Sequence, residues 1–209
     1  MRVVVISDTH GQHNKLVLPK CDCIIHCGDV TSRGYKQEVY EFLNWFEQLP
    51  FLYKIFIAGN HDWYFQETDQ EEIDSALMNR GIIYLKDEGV EVNGIKIYGS
   101  PVTPWFFDWA FNVHRGAEIK KYWDDIPENL DILITHGPPK SILDKNDNSQ
   151  ECGCEDLLRS VLDKKPRFHL FGHIHEAYGK LLSPNTHFVN ASVLNENYRL
   201  VNEPIVFDI

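Results

Sequence analysis

No stretch of this chain stays apolar for anything near the ~20 residues that a bilayer crossing requires. The first apolar run, Val3 to Ile6, ends at Ser7-Asp8, too short for the core of a secretory leader. Cysteine is scarce and poorly spaced for metal or redox work. Cys21, Cys23, Cys27, Cys152 and Cys154 are odd in number and contain no C-x₂-C pair. Neither a zinc ribbon nor a closed disulfide framework is expected, and reduced thiols packed as small apolar groups are. Positive charge is short as well: 20 Lys and Arg against 31 Asp and Glu leave a net charge of −11. A surface that grips a long polyanion needs the opposite balance. These shortages lead us to expect a soluble, cytoplasmic protein with no membrane partner and no long nucleic acid.

What is present is one core's worth of apolar residues, 43% of 209, so a single domain spanning 1–209 is expected. No repeat, low-complexity segment or linker interrupts it. Apolar residues at helical spacing over Tyr35 to Gln48 predict a helix ended by Leu49-Pro50. Further helices are predicted over Glu71 to Arg80, Gly116 to Trp123 and Cys154 to Leu162. Ile82 to Leu85, Val90 to Val92 and Ile95 to Tyr98 read as strands, with Asn93-Gly94 as a tight hairpin turn. Asn146 to Gln150 reads as a polar loop. The tail segments Ala177 to Leu182, His187 to Asn190 and Pro204 to Phe207 read as antiparallel strands.

Five short apolar runs share one design: each is followed at once by residues that bind metals. Val3 to Ile6 precedes Ser7-Asp8-Thr9-His10, and Ile24-Ile25-His26-Cys27 precedes Gly28-Asp29. Ile55 to Ile57 precedes Gly59-Asn60-His61-Asp62, and Ile132 to Ile134 precedes Thr135-His136-Gly137. Phe168 to Phe171 precedes Gly172-His173-Ile174-His175. Short continuous apolar runs read as buried strands, and open α/β sheets hold their sites just beyond the carboxyl ends of such strands. Asp8-x-His10 and His173-x-His175 each place two ligand types on one side of an extended segment. Asp29 and Asn60 add oxygens and His136 another imidazole. The mixture of N and O donors without thiolate suits Mn, Fe, Zn or Co. Taken singly each motif is commonplace; in this order, each behind its own strand, they point to one site of two divalent ions with Asp29 between them.

The order D-x-H, G-D, G-N-H-D, a lone His before Gly, and G-H-x-H resembles the calcineurin-like metallophosphoesterase superfamily over residues 3 to 192. Gly99-Ser100-Pro101, Trp109-Ala110-Phe111-Asn112, Thr135-His136-Gly137-Pro138-Pro139, Phe171 to Glu176 and Asn190-Ala191-Ser192 are similar to its compact metallophosphodiesterase subfamily. That subfamily includes brain-enriched vertebrate members and small bacterial and viral relatives. Some vertebrate members lack one histidine of G-H-x-H and are feeble enzymes; this chain has both. The resemblance implies a four-layer α/β/β/α sandwich, two mixed β-sheets flanked by helices. It implies one metal held by Asp8, His10, Asp29 and His175 and the other by Asp29, Asn60, His136 and His173. A bridging hydroxide between ions ~3.5–4 Å apart would then attack phosphorus in line with the leaving oxygen. His61, next to the ligand Asn60, should face the substrate and protonate the leaving group or stabilise phosphoryl charge. Asp62 is expected to support this site without touching substrate.

The expected substrate is a small phosphodiester, a cyclic or linear nucleotide. A phosphomonoesterase or dinucleotide-polyphosphate hydrolase on the same scaffold is the alternative, and a noncatalytic metal-binding interaction module a third. Candidate substrate contacts are Asn60, His61, Arg33, Arg115 and the rings of Trp105, Phe106 and Trp109 in the aromatic loop Gly99 to Asn112. That loop either plugs the gap between sheets or walls the site, with Trp63 and Tyr64 as the facing wall. His26 and His169, inside strand runs, read as core groups. His13 reads as the start of a helix or surface turn, and His114 as a further phosphate candidate.

Overall fold

The computed structural model describes residues 1–209. In chain order the main elements are β1 (Arg2–Ile6), β2 (Cys23–His26), α1 (Lys36–Gln48), β3 (Tyr53–Phe56), α2 (Tyr64–Glu67), α3 (Gln70–Leu77), β4 (Ile83–Tyr84), β5 (Glu88–Val92) and β6 (Ile95–Ser100). There follow β7 (Thr103–Pro104), β8 (Asn112–Val113), α4 (Ala117–Asp124), β9 (Ile132–Thr135), α5 (Glu155–Lys164), β10 (Phe168–Phe171), β11 (Gly179–Leu182), β12 (His187–Asn190) and β13 (Ile205–Asp208). They build a five-stranded sheet, β13-β1-β2-β3-β4, and a six-stranded sheet, β11-β12-β10-β9-β6-β5. In the first, β1 to β4 run parallel and β13 joins the edge antiparallel. In the second, β12, β10, β9 and β6 are parallel, with β11 and β5 antiparallel at the two edges.

Alternation along each strand decides the layers, because successive side chains point to opposite faces. Val3, Val5, Ile25 and Ile55 of one sheet meet Ile97, Ile132, Ile134, Leu170 and Val189 of the other in a shared inner cluster. Their neighbours point outward. Val4, Ile6 and Ile24 pack under Val39, Phe42, Leu43 and Phe46 of α1 and Ile73 of α3. Leu133, Phe171 and Phe188 pack under Ile119 and Trp123 of α4 and Leu157 and Val161 of α5. This is the four-layer α/β/β/α sandwich, and each fully buried Val, Ile, Leu or Phe in it contributes about 1.5–3 kcal/mol.

Two expectations are corrected. The tail is antiparallel only in part: β11 runs antiparallel to β12, and β13 antiparallel to β1. β12 lies parallel to β10 inside the six-stranded sheet, where Phe188 and Val189 are buried on opposite faces, and β13 crosses to the other sheet beside β1. The helix expected to reach Arg80 stops at Leu77 because Met78 turns extended (φ −54°, ψ 129°), and the Arg80 side chain donates to the Ala76 carbonyl at 2.7 Å. The Asn93-Gly94 hairpin has both residues at positive φ, 52° and 76°, as a two-residue turn between twisted strands requires. No helix is long and apolar enough to cross a membrane.

Candidate metal centre and active site

Parallel strands that share a direction deliver their C-terminal loops to one edge, and here both sheets deliver them to the same edge. A bridge between Ser7, just past β1, and Ser192, just past β12, stitches the sheets together there. The loops then brace one another. Asp8 N–H donates to Gly28 C=O and His10 N–H to Asp29 C=O, both at 3.0 Å. Asp8, His10, Asp29 and His173 all hold left-handed backbone, with φ between 42° and 68°. Such strain costs L-residues about 1–2 kcal/mol each and collects at functional sites. Gly28 has φ +101°, and a Cβ on it would stand 2.5 Å from the His136 ring. At Gly172 a Cβ would land on the Asp8 carboxylate and the Ser7 hydroxyl. The glycine in each motif keeps room for the ligand that another loop supplies.

All seven residues read as ligands converge. Asp29 lies in the middle: one oxygen is 3.6 Å from His10 Nε2 and the other 3.4 Å from His136 Nε2. Asp8 Oδ1 is 3.5 Å from His175 Nε2, and Asn60 Oδ1 is 2.9 Å from His136 Nε2. Ligand atoms of Asp8, His10 and His175 fall within 4.8 Å of one another, as do those of Asp29, His136 and His173 and of His10, Asp29 and His61.

The donor set fits divalent cations on its own chemistry. His136 Nδ1–H donates to Cys27 C=O at 2.9 Å and His175 Nδ1–H to Asn195 C=O at 3.0 Å. Each ring thus turns its Nε2 lone pair toward carboxylate or amide oxygens, acceptor against acceptor. Only a proton or a cation reconciles such neighbours. Burial opposes protonation of His136 and His175, yet the Asp29 and Asp8 carboxylates outweigh it and push both rings up to about 9. Burial alone tends to raise Asp29; the surrounding imidazoles win and hold it well below the usual carboxylate range. Burial lowers His10 and His173 to about 4, and neither buried ring nitrogen of His10 has a protein partner. A cluster that draws protons this strongly onto lone pairs also draws metal ions.

The family model for calcineurin-like phosphoesterase matches residues 1–177. The chain belongs to the calcineurin-like phosphoesterase family. It is 43% identical to metallophosphoesterase domain-containing protein 1 of Homo sapiens, across all of this chain and 71% of that one. It is 38% identical to UPF0046 protein T07D4.2 of Caenorhabditis elegans, across all of this chain and 60% of that one. Among solved structures, phosphopantetheinyl hydrolase (PptH) from Mycobacterium tuberculosis is similar with a TM-score of 0.63 at 13% identity, covering 94% of this chain and 90% of that chain. TT1561 of Thermus thermophilus is similar with a TM-score of 0.61 at 14% identity, covering 90% of this chain and 88% of that chain. At those identities the likeness shows the fold. Family membership and the ligand clusters make this calcineurin-like chain a metal-dependent phosphoesterase.

Around the ligands, the phosphoesterase fixes His61 by three contacts. Its N–H donates to Asp29 at 2.8 Å, its Nδ1–H to Ser32 C=O at 2.8 Å, and its ring stacks on Trp109 at 4.3 Å. Nε2 makes no hydrogen bond within the chain. Asp62 does not pair with His61. It accepts from the N–H groups of Gly59 (2.8 Å), Thr31 (2.9 Å) and Val30 (3.1 Å) and from the Thr31 hydroxyl (2.6 Å), locking the Asn60 loop to the Asp29 loop. Burial, then the Asp29 carboxylate, push its carboxyl up to about 6.

A cavity of about 220 Å³ opens over the ligands, walled by His61, Phe106, Trp109 and Tyr198. Three expected contacts lie elsewhere. Trp105 stacks on His114 at 5.6 Å and lines a separate hollow with Tyr122, because the short β7–β8 pair turns it away. Arg115 donates to Gly153 C=O, Cys152 C=O and the Glu155 carboxylate, a clamp that ties its guanidinium to the loop before α5. Arg33 sits on the exposed rim of another hollow with Ser32 and Glu38. Tyr64 is core, packed among Phe65 and Val39 with its hydroxyl on Glu72, and Trp63 packs against the same cluster. His13 opens a short 3₁₀ turn as expected, but it is buried against Phe42 and Trp45. Sequence reasoning gives no role to Tyr198 or Asn195, which the structure brings to the site. Their only signal is a polar turn, Asn195-Glu196-Asn197, that ends in a lone aromatic between β12 and β13.

Proposed function

We propose that this protein is a dinuclear phosphodiesterase for small phosphodiesters, with cyclic or linear nucleotides as the preferred class. The observation that carries two ions is the position of Asp29, whose two oxygens face His10 on one side and His136 on the other. Asp8, His10, Asp29 and His175 would hold one ion, and Asp29, Asn60, His136 and His173 the second. Bound divalent cations supply a nucleophilic water at neutral pH and neutralise phosphoryl charge.

The chain's own residues do the rest. His61 enters the step as the imidazolium, gives its Nε2 proton to the departing oxygen, and is left as the neutral Nδ1–H tautomer that the Ser32 carbonyl holds. Trp109 keeps the ring plane fixed as that proton moves. The wall bears no Lys or Arg, which favours a diester, with one negative charge, over a monoester carrying a second. Phe106 and Trp109 offer apolar faces beside the phosphate position, the chemistry a nucleobase would use. The deciding experiment strips metal and adds back Mn²⁺, Fe²⁺, Zn²⁺ or Mg²⁺ in turn. Rates on 2′,3′- and 3′,5′-cyclic nucleotides, a generic diester and a monoester are then compared. Preference for the monoester with every metal overturns this assignment.

A further inference from the structure

A tight turn built from Leu194 to Leu200 brings Tyr198 to the cavity that Phe106 and Trp109 also line. Its ends pair as an antiparallel bridge. Inside it, Asn195 Oδ1 accepts from the N–H groups of Asn197 (3.1 Å) and Arg199 (3.0 Å), and Asn195 C=O accepts from Tyr198 N–H at 2.8 Å. That same carbonyl receives His175 Nδ1–H. Gln12, on the His10 loop, donates to Tyr198 C=O at 3.0 Å. Tyr198 is thereby held at φ +56°, backbone that residues other than Gly and Asn avoid. Its ring packs at a steep angle against His10 at 4.9 Å and His175 at 5.4 Å, yet the residue lines the cavity and stays half exposed. At the other end of the row of rings, His61 meets His10 at 4.5 Å and stacks on Trp109 at 4.3 Å. Successive ring contacts thus link Trp109, His61, His10 and Tyr198 along one cavity lining.

We propose that Tyr198 is a specificity-determining residue, its ring supplying a further face, in the cavity that Phe106 and Trp109 also line, against which a planar group on the phosphate ester lies. The proposal rests on the phosphodiester reading of this site and narrows its substrate to esters carrying an aromatic or heteroaromatic group. A ring held at strained backbone by this set of polar contacts, on a residue still half exposed, is built to meet something flat.

The test uses binding, so that it is read apart from turnover. The metal-reconstituted chain is titrated calorimetrically with O-methyl phenylphosphonate and O-methyl methylphosphonate, two monoanions that differ only in the planar group. Wild type should bind the phenyl compound more tightly by about five-fold or more, the lower end of ring stacking. Tyr198→Ala should lose most of that preference and Tyr198→Phe should keep it, with metal content in both equal to wild type. Preference retained in Tyr198→Ala, lost in Tyr198→Phe, or absent from wild type overturns the proposal. Metal loss in Tyr198→Ala overturns it too, by making the ring a prop for His10 and His175. Hydrolysis of the diester panel judges the phosphodiester reading separately: a chain that hydrolyses none can still show, or fail to show, the phenyl preference.

Discussion

Strand ends of the five-stranded sheet carry Asp8, His10, Asp29, Asn60 and His61, whereas those of the six-stranded sheet carry only imidazoles, His136, His173 and His175. The first set alone has both carboxylates and the amide. The second brings only imidazole nitrogens from the opposite layer. Neither half makes a site by itself. His136 reaches Asp29 across the interface, and Asp8 accepts from the His173 N–H and the Ser192 hydroxyl, both from the other sheet. The pocket for cations is therefore a consequence of sheet-on-sheet packing, and metal binding and packing must stabilise one another.

The sharpest way to break this asymmetry is to remove charge from the oxygen-bearing half. Asp29→Asn should lose metal at both positions, since one carboxylate serves both and an amide carries no charge. His173→Ala should weaken one position and be partly rescued by excess Mn²⁺. Metal analysis of the purified variants decides between them, and wild-type stoichiometry in Asp29→Asn would refute the bridging assignment.

A smaller effect is expected at His61, which sits with the oxygen ligands but is assigned to the reaction. His61→Ala should keep metal close to the wild-type level and lower kcat by about 10²–10⁴-fold. The loss should shrink for esters with a nitrophenolate leaving group, which scarcely needs a proton. Because His61 also clusters with His10 and Asp29, metal that falls in step with activity would reassign it as a ligand.

The aromatic loop permits a contrast within one segment. Phe106 lines the cavity and Trp105 does not. Phe106→Ala should raise KM for a cyclic nucleotide by roughly five-fold to 150-fold if a base stacks there, while Trp105→Ala leaves it within about two-fold. Thermal melting of both, measured alongside, separates a binding effect from a folding defect. An equal rise in the two variants would put the base elsewhere.

This contrast also marks where sequence ceases to determine position. Each ligand follows its strand immediately, so parallel strands carry it to the common edge whatever the rest of the chain does; Asp8, Asp29 and His136 were legible for that reason. Trp105, Arg115 and Tyr198 lie several residues from any long strand. Their directions depend on remote partners: Asn112 donating to the Phe106 and Phe107 carbonyls, Glu155 receiving Arg115, and Gln12 holding Tyr198. Such partners share no spacing a reader can follow. The same reasoning covers the tail, where edge and interior strands of a mixed sheet differ in burial more than in pattern.

The smallest expected effect tests whether the two halves are propped alike. Each sheet buries one strand histidine on its outer face, bonded to a threonine beside a ligand: His26 to Thr9 at 2.9 Å, and His169 to Thr135 at 2.8 Å. Burial drives both rings down to about 3, so both are neutral in the fold. The Thr135 hydroxyl also donates to Gly137 C=O at 2.7 Å, so His169 Nε2–H must be the donor to it. Thr135→Val therefore breaks two buried hydrogen bonds where Thr9→Val breaks one. With ~1–3 kcal/mol for each buried polar group left without a partner, Thr135→Val should be the less stable variant, by about 1 kcal/mol or more. Neutral burial also fixes the sign of the pH dependence. The unfolded chain takes up protons below about 6.5 while the folded rings do not. Stability supplied by these two rings is therefore complete above pH ~6.5 and is lost as pH falls toward about 3. Urea titrations of wild type and both variants at pH 7.5 and pH 5.5 read both effects at once. Equal destabilisation by the two substitutions would mean that the Gly137 bond contributes nothing, and that the two halves are braced identically.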